Sequence, residues 1–547
     1  MSEPANFIDY RSKKALVIDD FPGMRSAFKM ALASFGMTKV DLASTASEAI
    51  MRVKNLDYDV IISDYNLGEG RDGQQLLEEI RHRNLIGLET VFLMVTAESV
   101  YERVVAAAEL APDDYLIKPF NGEILRTRLD AILTKKEAFK KTYRDFAQGN
   151  LESALANCEA LKLSHPKYYI DAMRFKGEIL VAMGDFEAAE ALYKLVIELR
   201  AVPWSRLGLA RSLYLQRKTA LAEPLLQDII NQNPGLVAGY DLLADVQIAQ
   251  NKTQEAQGTL ARGVGVSAKS PRRQRRLGEV AYQNNDLSCA ENAFKSAIDK
   301  GRHSIFLAPN DYANLSRVYL DQNNVKAATE VVTENRKLLQ DTNEGKLVSA
   351  VIQGQICARK GNHEEAKVLM EEAMQIRSMG VNCQPELMLD MVEACVKSGM
   401  DDAAATLLEE VARNSHDSTN LLDKAKRIYR DVGNEEKASE ILKKSTERVT
   451  KLSKEGALLL QKGELQKGVE MLIKAAEEAP RNPRVLMNTA WAILKLIERE
   501  GRSTRAFRML NQAKRLLDDA VYVAPDHPRV AGLKTLLRSV ETLLTAQ

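Results

Sequence analysis

Residues 15–133 alternate short apolar runs with amphipathic stretches: ALVID, KVDLA, DVIIS, VFLMV and YLI are separated by segments whose apolar positions fall at helical spacing. That is a (βα)5 pattern. Runs this uniformly apolar predict strands buried on both faces, hence a doubly wound, parallel five-stranded sheet with helices on each side. Ligand chemistry in such sheets lies outside the carboxyl ends of the strands, near the switch in strand order.

After Gly149 the strand signal stops and helical segments follow one another, punctuated by turns such as GN, GD, NK and ND. Turn positions recur at Gly149, Gly184, Arg217, Asn251, Asn285, Asn323, Gly361, Gly399, Gly433 and Gly463, with spacings of 35, 33, 34, 34, 38, 38, 38, 34 and 30. Five residues after each comes a small residue, from Ala154, Ala189 and Ala222 through to Ala438 and Gly468. Two antiparallel helices approach closely only where a side chain is small. Bulky partners follow four positions later, as at Tyr193, Phe294, Met370, Leu408 and Leu472, and Pro166, Pro234 and Pro480 end their units. The register resembles the tetratricopeptide repeat, with Trp204, Leu207-Gly208, Leu277-Gly278, Leu315 and Tyr319 matching its first helix. Ten units are readable between about 143 and 480, followed by a degenerate one with Trp491 and Pro525, and residues 527–544 form an expected closing helix. Trp204 and Trp491 are both expected in the core.

Composition narrows the function classes. At 547 residues the chain exceeds one core, and 76 Lys and Arg against 75 Asp and Glu leave no global field for nucleic acid. Five dispersed cysteines without a CxxC pair fit free thiols in a reducing compartment, so the expected location is cytoplasmic. No apolar run reaches the ~20 residues of a membrane span, and no signal-peptide pattern opens the chain. The six histidines show no HxxxH or HExxH spacing, and neither a Walker loop nor GxSxG occurs, so the chain is not expected to be an enzyme toward an external substrate.

The polar residues at the strand ends form one constellation. Asp19-Asp20 end the first run, Asp64 the third, Thr96 the fourth and Lys118 the fifth, so all project from one sheet edge. Three carboxylates repel one another without a cation, and hard oxygen ligands at such an edge suit Mg²⁺, which also accepts phosphate oxygen. A carboxylate held there can act as a nucleophile toward phosphorus.

The motifs VIDD, IISD, VTAE and DYLIKPF, in this order over residues 13–133, resemble the receiver domain of two-component response regulators, a flavodoxin-like fold. The resemblance implies Asp64 as phosphoacceptor and Asp20, Asp64 and the Asn66 carbonyl as Mg²⁺ ligands, with Asp19 as an outer metal partner. It further implies Lys118 as the phosphate-binding ammonium, Thr96 and Tyr115 as the switch pair, and Asn66 and Glu98 as the pair tuning dephosphorylation. That last pair is like the chemotaxis regulator's and implies a short-lived phosphorylated state. Two departures stand out: Gly68 replaces the usual proline in a loop, GEGRDG, one residue longer, and Ala111-Pro112 replaces Gly-Ala. Neither removes a chemical group.

The expected organisation is a tail at 1–12, a receiver at 13–133, a helical linker at 134–142 continuous with the last receiver helix, a superhelical repeat solenoid at 143–526 and a capping helix at 527–547. In the linker, Leu125, Leu129, Ile132, Phe139, Tyr143 and Phe146 form a heptad-like seam interrupted by Lys136. Two readings of it stay open: division between the receiver sheet and the first repeat, or a rigid helix that transmits receiver state or pairs two protomers in a homodimer. The densest basic cluster, Arg272, Arg273, Arg275 and Arg276, is a candidate contact for an anionic partner, though without interleaved aromatics it does not favour nucleic acid, and a solvated or intra-repeat role is its default reading. Together these features imply a response regulator charged by a histidine kinase or histidine phosphotransfer protein, whose repeats bind protein partners. A transcriptional or RNA regulator using the arginines, and a passive scaffold with a vestigial receiver, are the competing readings.

Overall fold

The computed structural model describes residues 8–545 apart from 69, 98–111, 201, 303, 525, 526 and 528. The chain divides into two compact units, Met1–Asn284 with Ser296–Leu307, and Asn285–Lys295 with Ala308–Gln547.

The first unit opens with strands β1 (Lys14–Ile18), β2 (Lys39–Ala43), β3 (Val60–Asp64), β4 (Val91–Ala97) and β5 (Asp114–Lys118), all parallel, in the order β2-β1-β3-β4-β5. Strand order therefore reverses between β1 and β3, which leaves a crevice at their carboxyl ends. The pleat sends alternate residues to opposite faces. Ala15, Val17, Val60, Ile62, Leu93 and Val95 meet α1 (Pro22–Ser34) and α4 (Gly122–Ala147). Leu16, Ile18, Ile61, Phe92 and Met94 meet α2 (Ala46–Asn55) and α3 (Gly73–His82). The sheet is thus covered on both sides, as its uniformly apolar strands require.

Helix α4 runs 26 residues without a break, capped by Asn121, whose side chain accepts from the Ile124 amide at 2.9 Å. Its seam divides between two cores. Leu125, Leu129, Ile132 and Leu133 pack under the sheet, whereas Phe139 and Tyr143 join Leu161, Ala172 and Tyr168, and Phe146 packs with Leu151 and Cys158. Lys136, at the point of division, is largely buried and bonds the Asp113 carboxylate and the Leu88 carbonyl, each at 2.6 Å. Burial holds its pKa below the usual lysine range, against the pull of Asp113. An ammonium placed there locks α4 to the base of β4 and β5.

Helical hairpins follow in both units. All ten turn residues, Gly149 to Gly463, take a left-handed backbone with φ between +60° and +81°. This is the conformation that ends a helix by satisfying its last carbonyls, and glycine or asparagine adopts it at least cost. The small residues five positions on are all buried, nine alanines at 0% exposure together with Gly468. Their bulky partners Tyr193, Phe294, Met370, Leu408 and Leu472 are buried too.

Arg217 is the exception among the turns, an exposed side chain at φ +61°. A left-handed residue with a Cβ costs roughly 1–2 kcal/mol, and glycine returns part of that as unfolded-state entropy. Arg217→Gly should therefore stabilise the hairpin of Pro203–Leu215 and Thr219–Gln232 by about 0.5–1 kcal/mol. Slower amide exchange in those two helices checks it, and faster exchange would show that the arginine contributes more than its backbone costs.

Two expectations need correction. Between Gly433 and Gly463 there is no inter-repeat turn, because helix Glu435–Gln461 runs straight through. The spacing of 30 lacks the four residues that such a turn occupies in a period of 34, and no proline or early glycine stops the helix. Trp491 is not a core residue but 40% exposed. On helix Pro483–Glu500 it shares the outward stripe of Arg484, Asn488, Lys495 and Glu498, while Met487, Ala490, Ile493, Leu494 and Ile497 take the core face. Trp204, by contrast, meets Tyr193 edge-on at 6.3 Å.

The second unit ends with helix Arg529–Thr545, whose Val530, Leu533, Val540 and Leu544 cover the preceding helical pair. It also holds a buried ionic cluster, in which Asp390 of helix Pro385–Lys397 meets Arg317 of Pro309–Asp321 and Lys424 of Thr419–Arg430. Among the described residues, no helix is long and apolar enough to cross a membrane.

Candidate functional site

At the carboxyl end of the sheet, one ligand oxygen from each of Asp19, Asp20 and Asp64 lies within 4.8 Å of the others. Asp64 ends β3, and Asp19 and Asp20 directly follow β1, so the crevice between these strands gathers them. Lys118, the last residue of β5, sets its Nζ 3.1 Å from Asp64 Oδ2 and 3.5 Å from Asp19 Oδ2. Main-chain amides fix the remaining oxygens: Phe21 donates to Asp19 Oδ1 at 2.8 Å and Tyr65 to Asp64 Oδ1 at 3.0 Å.

Asp64 is largely buried, and that burial pushes its pKa above the ordinary carboxylate value. The Lys118 ammonium pulls it back, and the neighbouring Asp19 charge adds to the rise. Asp19 Oδ2 is buried and accepts no hydrogen bond among the described residues. An acceptor-only group in that state, beside two further carboxylates, fits a divalent cation with oxygen ligands.

The longer loop after β3 uses two of its glycines for backbone that other residues avoid, with Gly68 at φ +74° and Gly70 at φ +103°. A Cβ on Gly68 would stand 3.2 Å from Asp20 Oδ2, so the loop lies directly against the cluster. Gly73 is tighter still, since a Cβ there would meet the Asp64 carbonyl at 2.2 Å. Its amide donates to the Tyr65 carbonyl at 2.8 Å, and Asp72 caps α3 in a reciprocal box with Gln75.

Thr96 is buried on β4, in register with Ile117 of β5 and one step beyond the pair Asp64 and Val95. Tyr115, in register with Met94, shares the Thr96 face of the sheet and turns inward against the α2 and α3 core, its hydroxyl buried. The Asn66 side chain is exposed. Glu98 and Ala111 lie outside the described residues.

Two contributors were invisible in the strand-end pattern. Arg25 on α1 donates to the main-chain carbonyls of Asp19 at 2.5 Å and Asp20 at 3.1 Å, fixing the backbone that carries both carboxylates. Buried Glu79 on α3 pairs with Arg71 of the loop and with Arg83, which anchors the loop from below. A glutamate on the apolar face of α3 was the available clue to the second, whereas nothing local marks the first.

The basic cluster does not form one exposed surface. Arg273 is buried, its Nε and Nη2 donating to the two carboxylate oxygens of Asp241 at 2.9 and 2.7 Å, and Arg276 bonds Asp245 at 2.5 Å. Arg275 donates to the Phe306 carbonyl at 2.8 Å, and the Arg272 guanidinium stacks 5.2 Å from the Phe306 ring. Asp241 and Asp245 sit on the preceding first helix, Val237–Ala249, so these charges join adjacent repeats.

A doubly wound sheet with three acidic residues and a lysine at its switch point defines a class of signalling domain, and comparison with known proteins agrees. Residues 15–130 match the response regulator receiver domain, and residues 171–202 match the tetratricopeptide repeat. The chemotaxis protein CheY-3 of Vibrio cholerae is 32% identical over 125 residues, 23% of this chain and 95% of that protein. CheY of Pseudomonas aeruginosa is 30% identical over 122 residues, 22% of this chain and 97% of that protein. The chain belongs to the response regulator receiver family, through a domain that occupies its first quarter. Among solved structures, V. cholerae CheY4 matches at 29% identity and TM-score 0.21, covering 22% of this chain and 98% of its own. A tetratricopeptide repeat protein from Parabacteroides merdae matches at 16% identity and TM-score 0.30, covering 48% of this chain and 98% of its own.

Proposed function

We propose that the protein is a cytoplasmic response regulator of a two-component phosphorelay, charged on Asp64, whose repeats bind partner proteins according to that charge. The observation that carries this reading is the convergence of Asp19, Asp20 and Asp64 within 4.8 Å, with the Lys118 ammonium 3.1 Å from Asp64. Asp20 and Asp64, with the Asn66 carbonyl, would hold Mg²⁺, and Asp19 would support it from behind. When bound, the ion neutralises the clustered carboxylates and the charge that develops on a transferring phosphoryl group.

Asp64 is the nucleophile in this scheme. One carboxylate oxygen attacks phosphorus, the donor's bond to phosphorus breaks, and Lys118 and the Thr96 hydroxyl hold the phosphoryl oxygens. Thr96 and Tyr115, on one face of β4 and β5, report the charged state. A histidine kinase or histidine phosphotransfer protein supplies the group, and no chemistry is assigned to the repeats, which offer an extended binding surface.

Affinity capture with the full chain tests the output. Wild type and Asp64→Ala are compared in Mg²⁺ with and without beryllofluoride, a phosphoryl mimic. At least one partner is expected to change severalfold with the mimic in wild type and to be indifferent to it in Asp64→Ala. Identical partner sets in every condition would leave a scaffold with an idle receiver.

A further inference from the structure

Within the first unit, the repeats reach back to the loop that carries the phosphoacceptor. Lys269 lies in the short connection between helices Thr253–Val266 and Pro271–Gln283. Its ammonium stands 3.1 Å from Asp72 Oδ2 and 3.2 Å from the Tyr65 hydroxyl, 5.1 Å from the centre of the Tyr65 ring. Tyr65 follows Asp64 and donates its amide to that carboxylate, while Asp72 is the cap of α3. One lysine therefore ties together the two ends of the glycine-bearing turn beside the carboxylate cluster. A second contact lies at the far end of α3, where the His82 ring meets the edge of Phe306 at 5.2 Å, on the residue that Arg272 also covers.

We propose that Lys269 is a positioning residue for the Asp64 site: by clamping Tyr65 and Asp72 it pre-organises the turn against Asp20, and so couples the repeats to the receiver's affinity for cation and phosphoryl group. The inference rests on reading Asp64 as the phosphoryl acceptor. Its sign follows from chain entropy. Gly68 and Gly70 give the turn more unfolded freedom than any other residue type would, and ordering that turn is a cost of binding. With the clamp closed, the turn already lies against Asp20 and the three carboxylates are already gathered. The ordering has been done before the ligand arrives.

The coupling is modest by construction. Lys269 is 65% exposed on its side chain, so its ion pair is screened, and the aromatic contact adds a comparable amount. Together they correspond to about a three- to tenfold change in affinity. By linkage the effect is reciprocal, and filling the site must tighten the clamp by the same factor.

The test uses the full chain in four forms: wild type, Lys269→Ala, Lys269→Arg and Asp64→Asn. Calorimetry measures the affinity for Mg²⁺ alone and for beryllofluoride in Mg²⁺, and hydrogen exchange follows segments 65–73 and 267–276. Lys269→Ala should weaken both affinities about three- to tenfold and speed exchange in 65–73, with Lys269→Arg restoring both. In wild type, beryllofluoride should slow exchange in 267–276. Affinities for Lys269→Ala within about twofold of wild type overturn the positioning role, whatever the exchange rates do. If wild type takes up neither ligand, the Asp64 reading falls and the clamp's role with it. If wild type binds, Asp64→Asn loses beryllofluoride and Lys269→Ala matches wild type, the clamp alone is refuted.

Discussion

An Asp64→Asn chain will take up no acid-labile phosphoryl group from a small phosphoramidate donor in Mg²⁺, a loss at least on the order of a hundredfold against wild type. The amide keeps the shape and the contact with the Tyr65 amide but lacks the nucleophilic oxygen pair. Incorporation that survives the substitution would place the acceptor elsewhere. The same substitution carries an opposite effect on stability. Burial raises the Asp64 pKa in the fold, with Asp19 adding to the rise and Lys118 opposing it. A carboxyl with a raised folded pKa gives its full contribution below the unfolded value of 3.8 and loses it as pH rises through the folded value. Without added cation, Asp64→Asn should thus become more stable than wild type across that window and stay so at pH 7. Thermal unfolding of the receiver at pH 3.5 and pH 7 reads the difference, and a variant less stable at pH 7 would contradict it.

Asp390→Ala should be the most damaging substitution in the second unit. Asp390 is 1% exposed and accepts from Arg317 Nε at 3.0 Å and Nη2 at 2.5 Å, and from Lys424 Nζ at 3.1 Å. Burial works to raise its pKa, but the two cations outweigh it and the net direction is downward. Removing the carboxylate takes away the bidentate acceptor of Arg317 and the ion-pair partner of Lys424 and leaves the two cations close together in the fold, a cost of about 3–5 kcal/mol. Lys424 is the weaker partner. Burial and then the Arg317 charge hold its pKa below the usual lysine value, so Lys424→Met removes a repulsion along with a bond and should cost less than about 1 kcal/mol. Amide exchange in Pro309–Asp321, Pro385–Lys397 and Thr419–Arg430 is the local readout for both variants. Near-equal effects would mean that the cluster is held by the lysine rather than by the bidentate arginine. A folded pKa below 3.8 also fixes the pH dependence: the stability due to Asp390 is present above 3.8 and is lost as pH falls through the folded value.

The receiver fold and its carboxylate cluster were legible because both rest on local rules. Five apolar runs with helical spacers imply a parallel sheet, and a parallel sheet delivers the residues at its strand ends to one edge whatever their separation in sequence. That rule alone groups Asp19, Asp20, Asp64 and Lys118. The repeat register was legible for a similar reason: one residue per turn must take a left-handed backbone, and one small residue five positions later must let two helices touch. Where a local cue was missing, the reading failed. No turn interrupts Glu435–Gln461, and Trp491 sits on the outward stripe of its helix although it occupies an aromatic position of the repeat.

Periodicity and strand-end chemistry, then, are properties of short stretches, and the chain declares them directly: a sheet of known handedness, a cluster at its edge, and a train of hairpins. Pairings between distant segments are not so declared, because a charged residue carries no local mark of its partner. The arginines of PRRQRR left a partner contact and a solvated or intra-repeat role both open until Asp241 and Asp245 of the preceding repeat were brought beside them. Lys269 carries no mark in the sequence around it, and its hold on Tyr65 and Asp72 exists only because packing of the repeats brings residues about two hundred positions apart into hydrogen-bonding distance.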